Sequence, residues 1–388
     1  MQELSFDIIV IGGGMAGVSI AFELSKSKSV LLLEREENFA VHATGRSAAA
    51  FIGSYGYQND CLYTLSKESF DFLKSPPASF SSDGFLDQRG LLTIASSSYQ
   101  DTLESEYHQL KKRQCGVQWL QDAQIKEKLP CLSEKFQLGA IFESEVYDID
   151  VHRLHTCYLQ GLKKLGGKHL TKAEVTTIFK TDGQWQVHTK DQEFFGSVVV
   201  NATGAWADEV ATKAGIQPLG LTPHRRTAIL VDSPLDPISW PLVMDLETSF
   251  YFKPDAGLIL ASPADETPSP ACDSAPEEID IATAAHLLEG AINTEIKVIR
   301  HSWSGLRTFA SDKTPVIGFD GTTEDFFWFA GQGGHGIQTA PASARLAAGL
   351  ISGSPSLYGA DTLMCLQPLC SPTRLRRTAG VSIQEAQT

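Results

Sequence analysis

A chain of 388 residues with 42% hydrophobic and 20% charged residues has the make-up of a folded globular protein, long enough for two interleaved domains and neither fibrous nor disordered. Its net charge of −14 argues against a broad nucleic-acid or anionic-membrane surface, although a few buried arginines would still reverse the potential locally for an anionic ligand. Seven cysteines, an odd count with no C-x-x-C or Cys/His pattern, point to reduced thiols, no metal site and a cytoplasmic setting.

The N-terminus has an acidic residue and no basic leader before the first apolar run, and no run reaches the ~18–20 residues of a membrane span. Phe6 to Ile11 reads as a buried parallel strand, followed by a glycine turn, a helix through Ser25 and a second buried strand from Val30 to Leu33. Together these make a β-α-β unit. Ser75 to Gly84 is rich in turn formers and reads as a crossover. A strand is expected over Gln88 to Ser96 and a polar helix over Tyr99 to Lys112. Leu154, Tyr158, Leu162 and Leu165 recur at helical spacing within Val151 to Leu165, and Gly166 and Gly167 close that helix.

Further along, Val198 to Val200 is a buried strand ending in Asn201-Ala202-Thr203-Gly204. A β-rich block runs from about Leu219 to Gly257, with strands at Ser249 to Lys253 and Leu258 to Ala261. Ser262 to Glu278 is a polar loop, Ile279 to Ile292 a helix, and Phe326 to Ala330 a last buried strand leading into a second glycine-rich turn. The polar, basic residues beyond Pro372 read as a frayed tail.

The chemistry begins at Gly12-x-Gly14-x-x-Gly17, which follows a strand and opens a helix, with Glu34 ending the next strand. Gly12 permits the turn, Gly14 lets the backbone approach a pyrophosphate, and Gly17 lets helix and strand pack closely. The helix N-terminus holds phosphates, and Glu34 can accept ribose hydroxyls. This unit reads as dinucleotide binding and leaves NAD and FAD both open. The small-residue stretch His42 to Ala50, with Arg46 and Ser47, lies where backbone would pass close to a flat cofactor.

Several runs in order along the chain resemble the glycine-oxidase/sarcosine-oxidase group of flavoenzymes, within the D-amino-acid oxidase superfamily. They are ThrGlyArgSerAlaAla at 44–49, AspIleAsp at 148–150, AsnAlaThrGlyAlaTrp at 201–206, ArgArg at 225–226, LysProAspAlaGly at 253–257, GlyLeuArg at 305–307, and GlnGlyGly with GlyIleGln at 332–338. Within that group the chain is most similar to bacterial FAD-dependent D-arginine dehydrogenases. The resemblance implies an α/β fold: a Rossmann-type FAD-binding domain interleaved with an α+β substrate domain on a mainly antiparallel sheet. It places the FAD-binding domain at 1–86, 140–218 and 304–372, the substrate domain at 87–139 and 219–303, and a disordered tail at 373–388. It also implies non-covalent FAD held by Gly12, Gly14, Gly17, Glu34, Arg46, Ser47, Val175, Ala202, Gly204, Gly333, Gly334 and Gly336, the last three opening the final helix toward the flavin.

By the same resemblance Arg226, Tyr251 and Arg307 bind a substrate carboxylate, with Tyr55 beside it and His335 where relatives often have tyrosine. On residue chemistry alone the arginines have two readings: salt bridges to protein carboxylates, or a fork for a bound anion. The chain departs from the pattern at Ala50 (histidine expected), Ile52 (threonine expected) and Leu91, where the glutamate that pairs with a cationic substrate is expected. An apolar residue at 91 leaves a desolvated guanidinium uncompensated. The expected reaction is therefore oxidative deamination of a neutral or apolar D-amino acid. The alternatives are a glycine, sarcosine or secondary-amine oxidase, an NAD-dependent dehydrogenase, and a flavin-binding redox module without turnover. An amino acid, as a small-molecule substrate, and an electron acceptor (oxygen, a quinone or a dye) are the expected partners.

Overall fold

The structure is a computed structural model and describes residues 4–113 and 115–376. Five parallel strands form the heart of the first sheet, in the spatial order Lys168–Leu170, Val30–Leu33, Ser5–Ile11, Glu193–Asn201 and Phe326–Ala330. Ile8 to Val10, Leu31 to Leu33, and Val199 and Val200 are almost fully buried, as a parallel sheet covered on both faces requires. Helices Met15–Leu24, Val151–Lys164 and Ala340–Ser352 pack on one face, and the Val175–Thr181 and Gln184–Thr189 hairpin extends the same sheet. That hairpin turns at Asp182-Gly183, both at positive φ (51° and 82°), a turn signal that sequence reading passed over.

The second sheet has nine strands and is antiparallel except where Leu242–Asp245 runs parallel to Leu91–Ile94. Its longest pairing joins Thr222–Val231 to Ile299–Phe309. Helix Glu278–Ile292 covers one face, burying Ala284, Leu288 and Ala291. A three-stranded sheet of Ala50–Ile52, Val146–Ile149 and Leu86–Gln88 joins the two larger ones. The α/β character and the mainly antiparallel second sheet are as expected.

Several expectations need correction. The single strand expected over Gln88 to Ser96 is broken at Gly90 (φ +77°); Leu86–Gln88 joins the small sheet and Leu91–Ile94 the large one. Ala140–Glu143 and residues 304–309, both assigned to the cofactor segments, hydrogen-bond within the nine-stranded sheet. Helix Asp60–Lys74 was not anticipated, although Asn59 caps it, accepting from the amides of Cys61 and Leu62 at 3.1 Å. Residues 373–376 of the expected tail are docked: Arg374 donates to Asp312 (2.7 Å) and to the Thr314 carbonyl (2.6 Å), and Arg376 pairs with Asp320. Residues 377–388 of that tail lie outside the described residues.

Candidate active site

Gly12 follows the first strand at φ +106°, where a Cβ would stand 2.5 Å from the Ala202 carbonyl oxygen; at Gly17 a Cβ would stand 1.7 Å from the Gly12 oxygen. The first position needs glycine for its conformation and the second for the approach of helix to strand. Gly14 is the N-cap of helix Met15–Leu24. Glu34 ends the second strand buried, with Oε2 accepting the Gly13 amide at 2.8 Å and Oε1 the Glu36 amide at 2.9 Å. Two residues not singled out from sequence complete the loop. Thr44 Oγ1 accepts the Met15 amide at 2.9 Å. His155 lies 2.9 Å from the Gly13 carbonyl, and burial lowers its pKa, so the neutral ring donates Nε2–H there.

A continuous cleft leads from this loop to the second sheet. Gly12, Gly14, Glu34, Arg46, Ser47, Val175, Ala202 and Gly204 line it, as do Gly333, Gly334 and Gly336 farther along. Gly17 does not line it; it acts by letting the helix close onto the loop. A long cleft floored by Cβ-free backbone, beginning at a helix N-terminus beside a buried acid, fits a dinucleotide whose ring system reaches the second sheet. Two details bear on the expected contacts. The guanidinium of Arg46 is committed to protein, donating to the Ser274 and Ser304 carbonyls (2.7 and 3.1 Å) and pairing with Asp273; it fastens the 263–277 strap. Gly333 to Gly336 form a turn ahead of helix Ala340–Ser352 and do not open it, and that helix is followed by a last short one, Gln367–Cys370.

At the far end, strand geometry gathers the expected substrate residues. Arg226 pairs with Gly305 and His224 with Arg307 on adjacent antiparallel strands, so Arg226 and Arg307 are diagonal neighbours on one face. Tyr251 pairs with Ser262 two strands away, and the register from Ile229–Ala261 puts it on that same face. All three line the cleft. The opposite face receives Arg225, whose guanidinium meets Glu277 at 2.5 Å and Asp280 at 3.0 Å. The salt-bridge reading holds fully for Arg225 and in part for Arg226, which meets Glu266.

Arg226 donates Nε–H to the Asp265 carbonyl at 2.7 Å and has one ion pair, Glu266 at 3.2 Å. Desolvation, and then the neighbouring Arg307 charge, lower its pKa. Arg307 has no acidic partner and donates no hydrogen bond from its side chain among the described residues. Its Nη1 instead stands 3.2 Å from where a Cβ on Gly334 would be.

Tyr55 and His335 lie outside the residues lining the cleft but stack on each other, with centroids 4.4 Å apart at 20°. Burial, followed by the Arg307 charge, pushes His335 down to about 4, so its imidazole is neutral at pH 7; its buried Nε2 has no hydrogen-bond partner. The three departures share one environment. Ile52 and Leu91 pack with Val146 and Leu242, and Ala50, Tyr55, Met244 and Tyr251 lie against them. This apolar cluster meets the cleft at Tyr251, which lines it with the two arginines. The nearest buried acid on that strand pair, Glu143 opposite Leu91, is pushed up to about 7 by burial. It is therefore a poor stand-in for the missing charge.

Among the described residues no group of three or more His, Cys, Asp or Glu could hold a metal ion, and no helix is long and apolar enough to cross a membrane. Comparison with known proteins agrees with the architecture. The fold is close to that of L-proline dehydrogenase from P. horikoshii, with a TM-score of 0.82 at 23% identity over 97% of this chain and 99% of that one. In sequence the chain is 25% identical to glycine oxidase of Geobacillus kaustophilus (strain HTA426), over 89% of this chain and 93% of that protein. It is also 25% identical to human mitochondrial dimethylglycine dehydrogenase, over 66% of this chain but 30% of that longer protein. The profile of the FAD dependent oxidoreductase (DAO) family matches residues 7–350, and the chain belongs to that family of flavin oxidoreductases.

Proposed function

We propose that this oxidoreductase deaminates D-amino acids with neutral or apolar side chains, giving 2-oxo acids and ammonia. The observation that carries the reading is Arg307, a cation on the cleft wall without a protein anion, diagonal to Arg226. Two guanidiniums side by side, that of Arg226 desolvated, repel one another and lower the energy of a bound carboxylate. Their planar forks fix that carboxylate in two bonds each, which orients the α-carbon. FAD, when bound, would supply the two-electron acceptor for that carbon; the amine proton passes to water, and a water molecule then hydrolyses the released imino acid to the 2-oxo acid and ammonia.

The protein's own residues do the rest. Tyr251 and Tyr55 flank the carboxylate site. The buried apolar cluster of Ile52, Leu91 and Leu242 packs against Tyr251 of the cleft wall and offers no counter-charge to a substrate side chain. A cationic side chain would lose its hydration there without a partner. The D configuration rests on the resemblance of Arg226, Tyr251 and Arg307 to the carboxylate set of the D-arginine dehydrogenases.

Glycine and secondary amines are the second reading, favoured by the similarity to glycine oxidase and dimethylglycine dehydrogenase. One experiment separates the two: anaerobic bleaching of the flavin by matched D- and L-amino acids, glycine and sarcosine, with Arg226→Ala and Arg307→Ala as controls. Fast bleaching by D-valine or D-leucine that both variants lose supports the first reading. Bleaching by glycine or sarcosine alone supports the second, and no bleaching by any of them refutes both.

A further inference from the structure

The 263–277 strap places one of its own carboxylates on the arginine assigned to substrate. Glu266 Oε1 lies 3.2 Å from Arg226 Nη2, and Glu266 Oε2 lies 3.4 Å from Lys313 Nζ. The strap backbone on either side is fixed. Asp265 accepts the Thr227 amide at 2.7 Å and its hydroxyl at 3.1 Å, Thr267 pairs with Arg225, and the Ser269 amide donates to the Pro223 carbonyl at 3.0 Å. The Glu266 side chain itself is 42% exposed, whereas the Arg226 side chain is 12% exposed. A half-exposed acid on an anchored backbone can swing off a buried cation by rotamer change alone.

Resting on the deamination reading, we propose that Glu266 is an affinity- and specificity-determining residue: a resident carboxylate that occupies Arg226 and must be displaced by the substrate carboxylate. Two features favour displacement over a permanent bridge. The contact uses one Arg226 nitrogen at 3.2 Å and is not bidentate. Lys313 stands ready to keep Glu266 neutralised once it leaves. Binding then exchanges one carboxylate for another, so part of the affinity that two arginines would supply is cancelled. Substrates with a second acidic group meet Glu266 as a like charge and bind more weakly still.

The test uses the flavin-loaded full chain and Glu266→Gln, with benzoate as a carboxylate probe measured by calorimetry beside steady-state kinetics on the best amino acid. An ion pair of this exposure predicts that benzoate Kd and amino-acid KM both fall about 1.5- to fivefold. Turnover of an acidic amino acid rises relative to that of its neutral counterpart. Arg226→Ala abolishes the benzoate signal in both backgrounds. If Glu266→Gln leaves Kd unchanged or raises it, Glu266 supports Arg226 and does not compete for it, and the proposal is overturned even where turnover is normal. If benzoate tightens but no amino acid is turned over, the role of Glu266 stands and the deamination reading falls. Failure of either protein to bind benzoate overturns the proposal too.

Discussion

Arginines on opposite faces of one strand pair make a sharp prediction, because Arg225 and Arg307 should respond to the same substitution in opposite ways. Replacing Arg307 with methionine keeps much of the side-chain volume and removes a cation that has no protein anion. A hydrogen bond to a charged group contributes about 1.5–3 kcal/mol, so losing a two-bond fork costs about 3–5 kcal/mol of substrate binding. At about 1.4 kcal/mol per tenfold, kcat/KM should fall roughly 10²- to 10⁴-fold. Folding stability should move the other way. The charge removed is one that lowers the pKa of Arg226, and relief of such functional-site strain typically stabilises by about 0.5–2 kcal/mol. Arg225→Met, in contrast, strands Asp280 and Asp265, which are 14% and 8% exposed. Breaking a buried ion pair costs about 3–5 kcal/mol. Because Glu277 is 58% exposed, about 2–4 kcal/mol is expected. The assay is urea unfolding of the three proteins at matched flavin content, alongside anaerobic flavin reduction. An Arg307→Met protein that is less stable by 2 kcal/mol or more, or that keeps kcat/KM within tenfold, would refute the anion-site reading of Arg307.

Two further outcomes follow from the cofactor and sheet geometry. Gly17→Ala puts a methyl 1.7 Å from the Gly12 oxygen, so the helix must retreat from the loop. Overpacking of this kind costs about 1–3 kcal/mol, and the variant should purify with little flavin; wild-type absorbance at 450 nm would contradict the close-packing role. Glu143 rises from about 4.5 to about 7 through burial, so the folded protein binds the extra proton between those values. Its contribution to stability is full below about pH 4.5 and is lost as pH rises through about 7. Glu143→Gln should therefore be more stable than the parent at pH 8, by up to about 3 kcal/mol, and the gap should close by pH 4.5. An equal gap at both pH values would rule out titration of Glu143 as its source.

Much of the cofactor half was legible because its signals are local. The glycine spacing, the apolar strand before it and Glu34 lie within one β-α-β unit, where chain geometry leaves little choice of arrangement. Helix Asp60–Lys74 had cues as local, an Asn59 cap and apolar residues at Leu62, Leu65 and Leu73, and went unread. The break at Gly90 was harder, since either half of Gln88 to Ser96 suits a strand and only the two competing sheets divide them.

The second glycine turn lines the cleft, but the helix it was expected to open starts later, at Ala340. The substrate end depended on distant pairings. Alternation along Thr222–Val231 says that Arg225 and Arg226 point to opposite faces, and it is silent on which face has acids waiting. Glu277 and Asp280 arrive there from a helix more than fifty residues away in sequence, and Arg307 reaches the other face through a strand about eighty residues on. Arg46 shows the converse: its motif pointed to the cofactor, and the strap that captures its guanidinium is more than two hundred residues distant.

The amino-acid sequence by itself supplied the glycine turn at Gly12 to Gly17 with Glu34 one strand on and, through the resemblance of its ordered motifs, the expectation of FAD, which the match to the FAD dependent oxidoreductase family bears out. Which arginines are neutralised by protein, which one lacks an anion, and that Glu266 rests on Arg226 were decided by tertiary structure. Charge compensation depends on which side chains share a few ångströms of low-dielectric space, and that follows from strand register and strap placement, not from residue type.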